Sequence, residues 1–312
     1  MNKGYTDIVN LLLKHGADVN KQDHSGKSAL IYFIELLTSQ RCETSQILNP
    51  LEEGNLNTLK SMLLAAGAGD VNKLSMNSGH NALHIASSFG MCDVMKELIQ
   101  HGANCNHLTS SWKSALDLAC DADHEAAVEL LLKNGAEPDN NCDVNVPVLC
   151  RVAAYARGET MVKMLLDHGA DVNATDMKSN TALHLATSSA VVETLLNARA
   201  NVNATNNEGE TALSVVCKKQ RADANVVEML LKFGADPNTC FPLYTACKND
   251  DPTTVGLLLA YGADANLMKE STSERLGYTV IKKRFTAVHC MQKRKQSYRR
   301  LSSEEWSCCD VC

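Results

Sequence analysis

Leu165-Leu166-Asp167-His168-Gly169-Ala170-Asp171-Val172-Asn173 is written almost unchanged earlier in the chain, at Leu12-Leu13-Lys14-His15-Gly16-Ala17-Asp18-Val19-Asn20. The shared phrase is a leucine pair, two spacers, glycine, alanine, an acid or amide, one further residue and asparagine. Looser copies centre on Gly67 (with one extra residue, Gly69), Gly102, Gly135, Gly234 and Gly262, and in an eighth copy Arg199 replaces the glycine. The anchors fall at 16, 67, 102, 135, 169, 199, 234 and 262. A period of roughly 33 residues marks an array of supersecondary units, none of which can bury its apolar face alone.

A second phrase follows most of these glycines. It reads Ser28-Ala29-Leu30, Asn81-Ala82-Leu83-His84-Ile85-Ala86, Ser114-Ala115-Leu116-Asp117-Leu118-Ala119, Thr181-Ala182-Leu183-His184-Leu185-Ala186, Thr211-Ala212-Leu213 and Pro242-Leu243-Tyr244-Thr245-Ala246. One copy is degraded to Leu149-Cys150-Arg151-Val152-Ala153-Ala154. The two phrases in phase resemble the ankyrin repeat, whose opening reads T-P-L-H-x-A. The resemblance covers most of residues 1–266. It implies an all-α ankyrin-repeat solenoid, with helix–turn–helix repeats and β-hairpin loops.

The residues make sense of such a unit. The apolar, alanine-rich stretch after each Ala-Leu suits a short first helix. A break such as Phe89-Gly90 follows, and then a second helix such as Asp93–Ile99, apolar at i, i+3, i+4 spacing. The closing glycine takes the left-handed conformation of a helix C-cap at low cost.

The reading predicts a half-repeat over 1–20, about seven repeats up to residue 266, and a basic tail over 267–312. The half-repeat is either a truncated form or a fraying cap, and it leaves the apolar side of Ile8, Leu11 and Leu12 without a neighbour. An insertion falls near 38–55, because Leu30 to Gly67 is 37 residues where Leu83 to Gly102 is 19. It is a tolerated surface loop or part of a binding face. Leu183 to Arg199 is three residues short, which predicts a trimmed turn between helices. The hairpin before Leu243 is largely deleted. In the tail, Leu276 predicts a degenerate capping helix through Gly277 to Phe285, then a disordered end.

Composition sets further bounds. Hydrophobic residues make up 45% and the net charge is −6, enough apolar content to bury a core. Cysteines such as Cys92, Cys105, Cys120, Cys150, Cys217 and Cys247 are scattered through the repeats. With no apolar signal segment at Met1-Asn2-Lys3-Gly4, they read as reduced, buried thiols of a cytoplasmic or nuclear protein. Residues 267–312 hold 10 basic and 5 acidic residues, while the rest holds 20 and 31. The acidic array with its basic tail implies two partners or a tail that folds back on its own array, or else the acidic side is simply a solvated surface.

The chain contains no phosphate loop, no H-E-x-x-H and no G-x-S-x-G, so no enzymatic role, cofactor or metal is expected. His84 and His184 repeat at one position and read as structural hydrogen-bonding residues. The resemblance implies one chemical role, as a substrate: Asn20, Asn72 and Asn173 sit in the L-x5-D-V-N context that a cytosolic asparaginyl hydroxylase modifies in ankyrin repeats.

The resemblance also places protein binding on hairpin tips and first helices. The tip candidates are His24, Met76, Asn77, Ser111, Trp112, Met177, Lys178, Asn207 and Glu208, with Phe89 and Tyr244 on or near first helices. Trp112 occupies the place of Gly26, Gly79 and Gly209. It is a binding anchor or lies against a neighbouring hairpin.

The tail admits other readings. Ser302 in Arg299-Arg300-Leu301-Ser302 resembles a basophilic-kinase site. Basic clusters with acylated terminal cysteines would make a membrane contact. His289-Cys290 with Cys309 and Cys312 would make a weak zinc set. Nucleic acid is not an expected partner, and a leucine-proline box that recruits a ubiquitin ligase is not found after Gly262. The function expected is that of a non-catalytic scaffold or adaptor binding other proteins. The alternative is a membrane-tethered or ligase-recruiting adaptor whose role depends on the tail.

Overall fold

The computed structural model describes residues 3–44, 53–66, 71–72, 79–139, 146–155, 158–219, 222–267, 269–271 and 283–285. The chain divides into two compact units, Met1–Asp171 and Val172–Cys312.

The first unit holds nine helices among the described residues. They are α1 (Lys3–Lys14), α2 (Ala29–Thr44), α3 (Glu53–Ala66), α4 (Ala82–Ser88), α5 (Cys92–Gln100), α6 (Ala115–Asp121), α7 (Glu125–Lys133), α8 (Val148–Ala153) and α9 (Glu159–Asp167). First helices stack on first helices, α2 on α4, α4 on α6 and α6 on α8. Second helices stack likewise, α1 on α3, α3 on α5, α5 on α7 and α7 on α9. The second unit repeats the pattern. Its first helices are α10 (Ala182–Leu185), α12 (Ala212–Lys218) and α14 (Pro242–Asn249), and its second helices are α11 (Ser189–Asn197), α13 (Ala224–Lys232) and α15 (Pro252–Ala260).

Local chemistry explains where these helices begin and end. Asn81, Ser114 and Thr211 cap α4, α6 and α12 by accepting the backbone N–H of the third helical residue. At the other end, the leucine–glycine–alanine phrase is a helix stop. In each copy among the described residues the alanine N–H reaches back to a leucine carbonyl, as in Ala103 to Leu98, Ala136 to Leu131 and Ala170 to Leu165, all at 3.0 Å. That closure requires a left-handed residue between, and Gly102, Gly135 and Gly169 have φ of +89°, +84° and +89°. The same leucines are fully buried, so one residue serves both the cap and the core.

A second device joins successive repeats. Asn106 Nδ2 donates to Gly135 O at 3.0 Å, and Asn106 Oδ1 accepts the Glu137 N–H at 2.8 Å. Asn72 clasps Gly102 O and the Asn104 N–H in the same way, and in the second unit Asn203 clasps Gly234 O and the Asp236 N–H. Asn238 repeats it with Gly262 O and the Asp264 N–H. Each asparagine therefore satisfies one donor and one acceptor exposed by the next helix terminus.

Several departures from the sequence reading have local causes. The insertion is not simply a loop: α2 runs on to Thr44 and α3 already starts at Glu53, so residues 38–44 and 53–55 are helical. The three residues missing before Arg199 come out of a helix, because α10 has 4 residues where α4, α6 and α12 have 7. The deleted hairpin before α14 is replaced by two consecutive left-handed residues, Cys240 and Phe241, with φ of +64° and +58°. In the tail, β1 (Lys269–Ser271) pairs antiparallel with β2 (Lys283–Phe285). The last three residues of the expected capping helix are thus extended, their backbone paired across strands; residues 277–282 lie outside the described residues. As the sequence implies, Ile8, Leu11 and Leu12 are 55%, 58% and 54% exposed.

Two substitutions test these assignments. Arg199 carries φ of +64° at a position other repeats fill with glycine. Arg199→Gly is expected to raise stability by about 1 kcal/mol, read as a higher urea midpoint at unchanged slope. Asn81 is fully buried and its Nδ2 lacks a hydrogen-bond partner among the described residues. Asn81→Thr keeps a capping oxygen and removes the orphaned donor, so a gain of about 1 kcal/mol is expected in thermal unfolding.

Candidate functional site

The hairpins and first helices of the first unit carry the most distinctive side chains. Thr109 and Lys113 close one hairpin through the Thr109 N–H and Lys113 O at 2.9 Å. At its tip Trp112 adopts φ of +58° and remains 52% exposed. The equivalent Gly26 and Gly79 have φ of +75° and +64°. A left-handed conformation costs a residue with a Cβ roughly 1–2 kcal/mol, and about half of the Trp112 surface still faces solvent. Ser111 Oγ lies 3.1 Å from Thr109 Oγ1 and stays exposed beside it.

One residue along, Lys113 opens a charged network. Its Nζ meets Asp121 Oδ2 at 2.7 Å. The other Asp121 oxygen accepts Arg151 Nε from α8 at 3.0 Å. Arg151 also pairs with Asp117 Oδ1 at 2.5 Å and donates to Val146 O at 2.9 Å. Asp117 is buried on α6 and accepts from both the N–H and the hydroxyl of Ser114 at 2.8 Å. The Arg151 cation therefore sits between two carboxylates, which hold its pKa up against the opposing effect of burial.

Asp117 occupies the position of His84 and His184, and the contrast shows what that position does. His84 Nδ1 accepts the Asn81 N–H at 3.1 Å, and its Nε2 lies 2.9 Å from His107 O in the following hairpin. His184 binds Thr181 and Glu210 O in the same manner. Both rings are buried, and burial depresses the pKa of each, that of His84 to about 4. These are positioning groups, as the sequence suggests.

The other candidates divide. His24 is exposed in a hairpin organised by Asp23, which accepts the Ser25 and Lys27 N–H groups and the Tyr32 hydroxyl. These hydrogen bonds hold the Asp23 carboxyl well below the usual carboxylate range. Phe89 is the C-cap of α4, at the turn between helices and away from the hairpins. Met76, Asn77 and Ser302 lie outside the described residues. In the second unit Met177 is 72% exposed. Asn207 is committed to the neighbouring hairpin, donating to Lys178 O and Met177 O and accepting from Ser179 Oγ. Glu208 is exposed and Tyr244 half-buried. Asn72 and Asn173 use their side-chain oxygens on Asn104 and Asn201 N–H groups, and the Asn20 N–H donates to Asp18. Sequence reasoning passed over Arg151 and the exposed Tyr155. The available signal was an acid at the histidine position with an arginine one helix later.

Family models for ankyrin repeats match residues 50–142, 140–206 and 188–269, and a single ankyrin repeat matches 1–24. The chain belongs to the ankyrin-repeat family. Its fold class is the all-α ankyrin-repeat solenoid, and ankyrin repeats are generally protein–protein interaction modules. The chain is 26% identical to an ankyrin repeat domain from Acinetobacter baumannii, with a TM-score of 0.55 over 58% of this chain and 98% of that one. It is 26% identical to the human ASB11 ankyrin repeat domain, with a TM-score of 0.50 over 60% and 86%. Among curated relatives, it is 32% identical over 113 residues to Xenopus tropicalis neurogenic locus notch homolog protein 1, covering 36% of this chain and 4% of that protein. It is 34% identical over 137 residues to Dirofilaria immitis L-asparaginase, covering 44% and 22%. The matches thus span under a quarter of either relative. Among the described residues no helix is long and apolar enough to cross a membrane, and no cluster of three or more metal-ligating side chains occurs.

The depressed histidine pKa values set a pH dependence. Between pH 6.5 and about 4 the unfolded chain binds a proton at His84 that the folded chain does not, so stability falls as pH drops through that window. The loss at His84 amounts to about 3 kcal/mol and levels off below pH 4, with His184 contributing in the same direction. His84→Gln is expected to flatten the profile of urea midpoint against pH.

Proposed function

We propose that the chain is a non-catalytic scaffold that binds partner proteins through its hairpin tips and first helices. The observation that carries this reading is Trp112: the fold holds a large aromatic outward at a tip, in a left-handed conformation that Gly26, Gly79 and Gly209 also adopt and that Ser179 shares. Strain of this kind persists where the surrounding structure imposes it, and exposed tryptophan is the residue type most enriched at interface hot spots. Ser111, His24, Met177, Lys178 and Glu208 supply exposed contacts on the same kind of element. The buried thiols of Cys105, Cys120, Cys150, Cys217 and Cys247, none of them in a disulfide, support action in a reducing compartment, the cytoplasm or nucleus. The L-x5-D-V-N context supports Asn20, Asn72 and Asn173 as acceptors of a hydroxyl group.

Trp112→Gly is the sharpest test, because glycine fits the backbone while deleting the ring. Affinity purification with quantitative mass spectrometry should show partners of the intact chain depleted about tenfold or more for this variant. Its thermal midpoint should rise by a few degrees. Partners recovered in full with Trp112→Gly, yet lost on removing residues 267–312, would move recognition to the tail.

A further inference from the structure

We propose that the repeat that holds α8 and α9 is a locally opening unit of the array, latched to the preceding repeat by Arg151. Three features weaken it. Asp139 stands where Asn72, Asn106, Asn203 and Asn238 stand in their repeats. Its carboxylate accepts the Asp171 N–H at 2.7 Å, but a carboxylate cannot donate to the Gly169 carbonyl as those amides donate to Gly102, Gly135, Gly234 and Gly262. The rung across this repeat is therefore half made. Second, neither of its helices has a side-chain cap: Pro147 precedes α8 and Gly158 precedes α9. Third, Cys150 occupies the position from which His84 and His184 reach the next hairpin, and a thiol has neither the ring's two nitrogens nor its span.

What holds the repeat to its predecessor instead is Arg151, paired with Asp117 and Asp121 on α6. This contact differs in kind from the neutral asparagine rungs. A buried ion pair breaks at high cost when one partner is removed, and it breaks as a unit. In a one-dimensional array, the repeat with the weakest intrinsic and interface terms opens independently of the others. Opening here exposes Val148, Leu149, Val152, Met161, Val162 and Leu165, all buried when closed. Any group that competes for the carboxylates of Asp117 and Asp121, or for the Arg151 guanidinium, shifts the equilibrium. The array is thereby interruptible at one place, whether or not Trp112 anchors a partner.

The chain carries its own probes. Cys120 on α6, Cys150 on α8 and Cys217 on α12 are all buried, so each thiol reacts only when its repeat opens. Native-state alkylation of the full chain with N-ethylmaleimide, read thiol by thiol by peptide mass spectrometry, is normalised to rates in denaturant. Cys150 is expected to react about tenfold or more faster than Cys120 and Cys217. Arg151→Met should accelerate Cys150 by a further factor of about ten while leaving Cys217 unchanged. Asp139→Asn, which restores the missing donor and keeps an oxygen for the Asp171 N–H, should slow Cys150 selectively. One common rate for the three thiols would overturn the proposal. So would equal rates at Cys120 and Cys150, or an Asp139→Asn variant whose Cys150 reacts as fast as before.

Discussion

The carboxamide that closes most of the repeats offers a donor and an acceptor, and the helix terminus beyond it exposes the complementary pair. Asn106 illustrates the match: its amide meets the Gly135 carbonyl and its oxygen meets the Glu137 N–H. The left-handed glycine turns that carbonyl outward, and the alanine after it returns its own N–H to the leucine five residues back. Cap and rung are thus built from the same few atoms. If the glycine lost its conformation, the leucine would lose its cap, the asparagine its acceptor and the next hairpin its register. Much of the architecture follows from this constraint, because repeats touch only their neighbours and each interface must be complete in itself.

Where one element of the device is altered, another compensates in kind. Arg199 adopts the glycine conformation at an energetic cost, and the Ala200 N–H still reaches Leu195 O at 3.0 Å. Asp117 cannot copy the histidine's reach to a distant carbonyl, so it caps its own helix through Ser114 and recruits Arg151 from α8. The substitution converts a neutral tie, insensitive to ions, into an electrostatic one. The charged network starts at Lys113, beside Trp112, so the most exposed aromatic of the hairpins and the most polar interface between first helices lie on adjacent residues.

The stacked layers leave little chemistry unassigned. The histidines that recur by position are buried, neutral and spent on backbone groups, and the thiols of Cys120, Cys150, Cys217 and Cys247 lie buried in first helices. What remains accessible is hairpin surface, and its composition differs between the units. In the first, a strained tryptophan stands over an ion network. In the second, Asn206 and Asn207 stitch neighbouring tips together and leave Met177 outward. An interaction module of this family can therefore present unlike tips on one recurring scaffold.

The repeat period, the helix stops and the recurrent histidine were all legible in the sequence, because each depends on residues a few positions apart. A leucine, a glycine and an alanine within six residues suffice for a C-cap, and three residues suffice for the Asn81–His84 box. The fates of the insertion and the contraction were not legible. Extra residues near Thr38 lengthened α2 and missing ones shortened α10, since a helix can gain or lose a turn while keeping its buried face. Nor could the sequence pair Asp117 with Arg151, 34 residues apart, or reveal that Trp112 sits left-handed at its tip. By itself the sequence determined the period, the caps and the family of fold, because those are local. Tertiary structure decided which side chains meet across repeats and which tip carries strain, because those depend on the distance between units that only stacking sets.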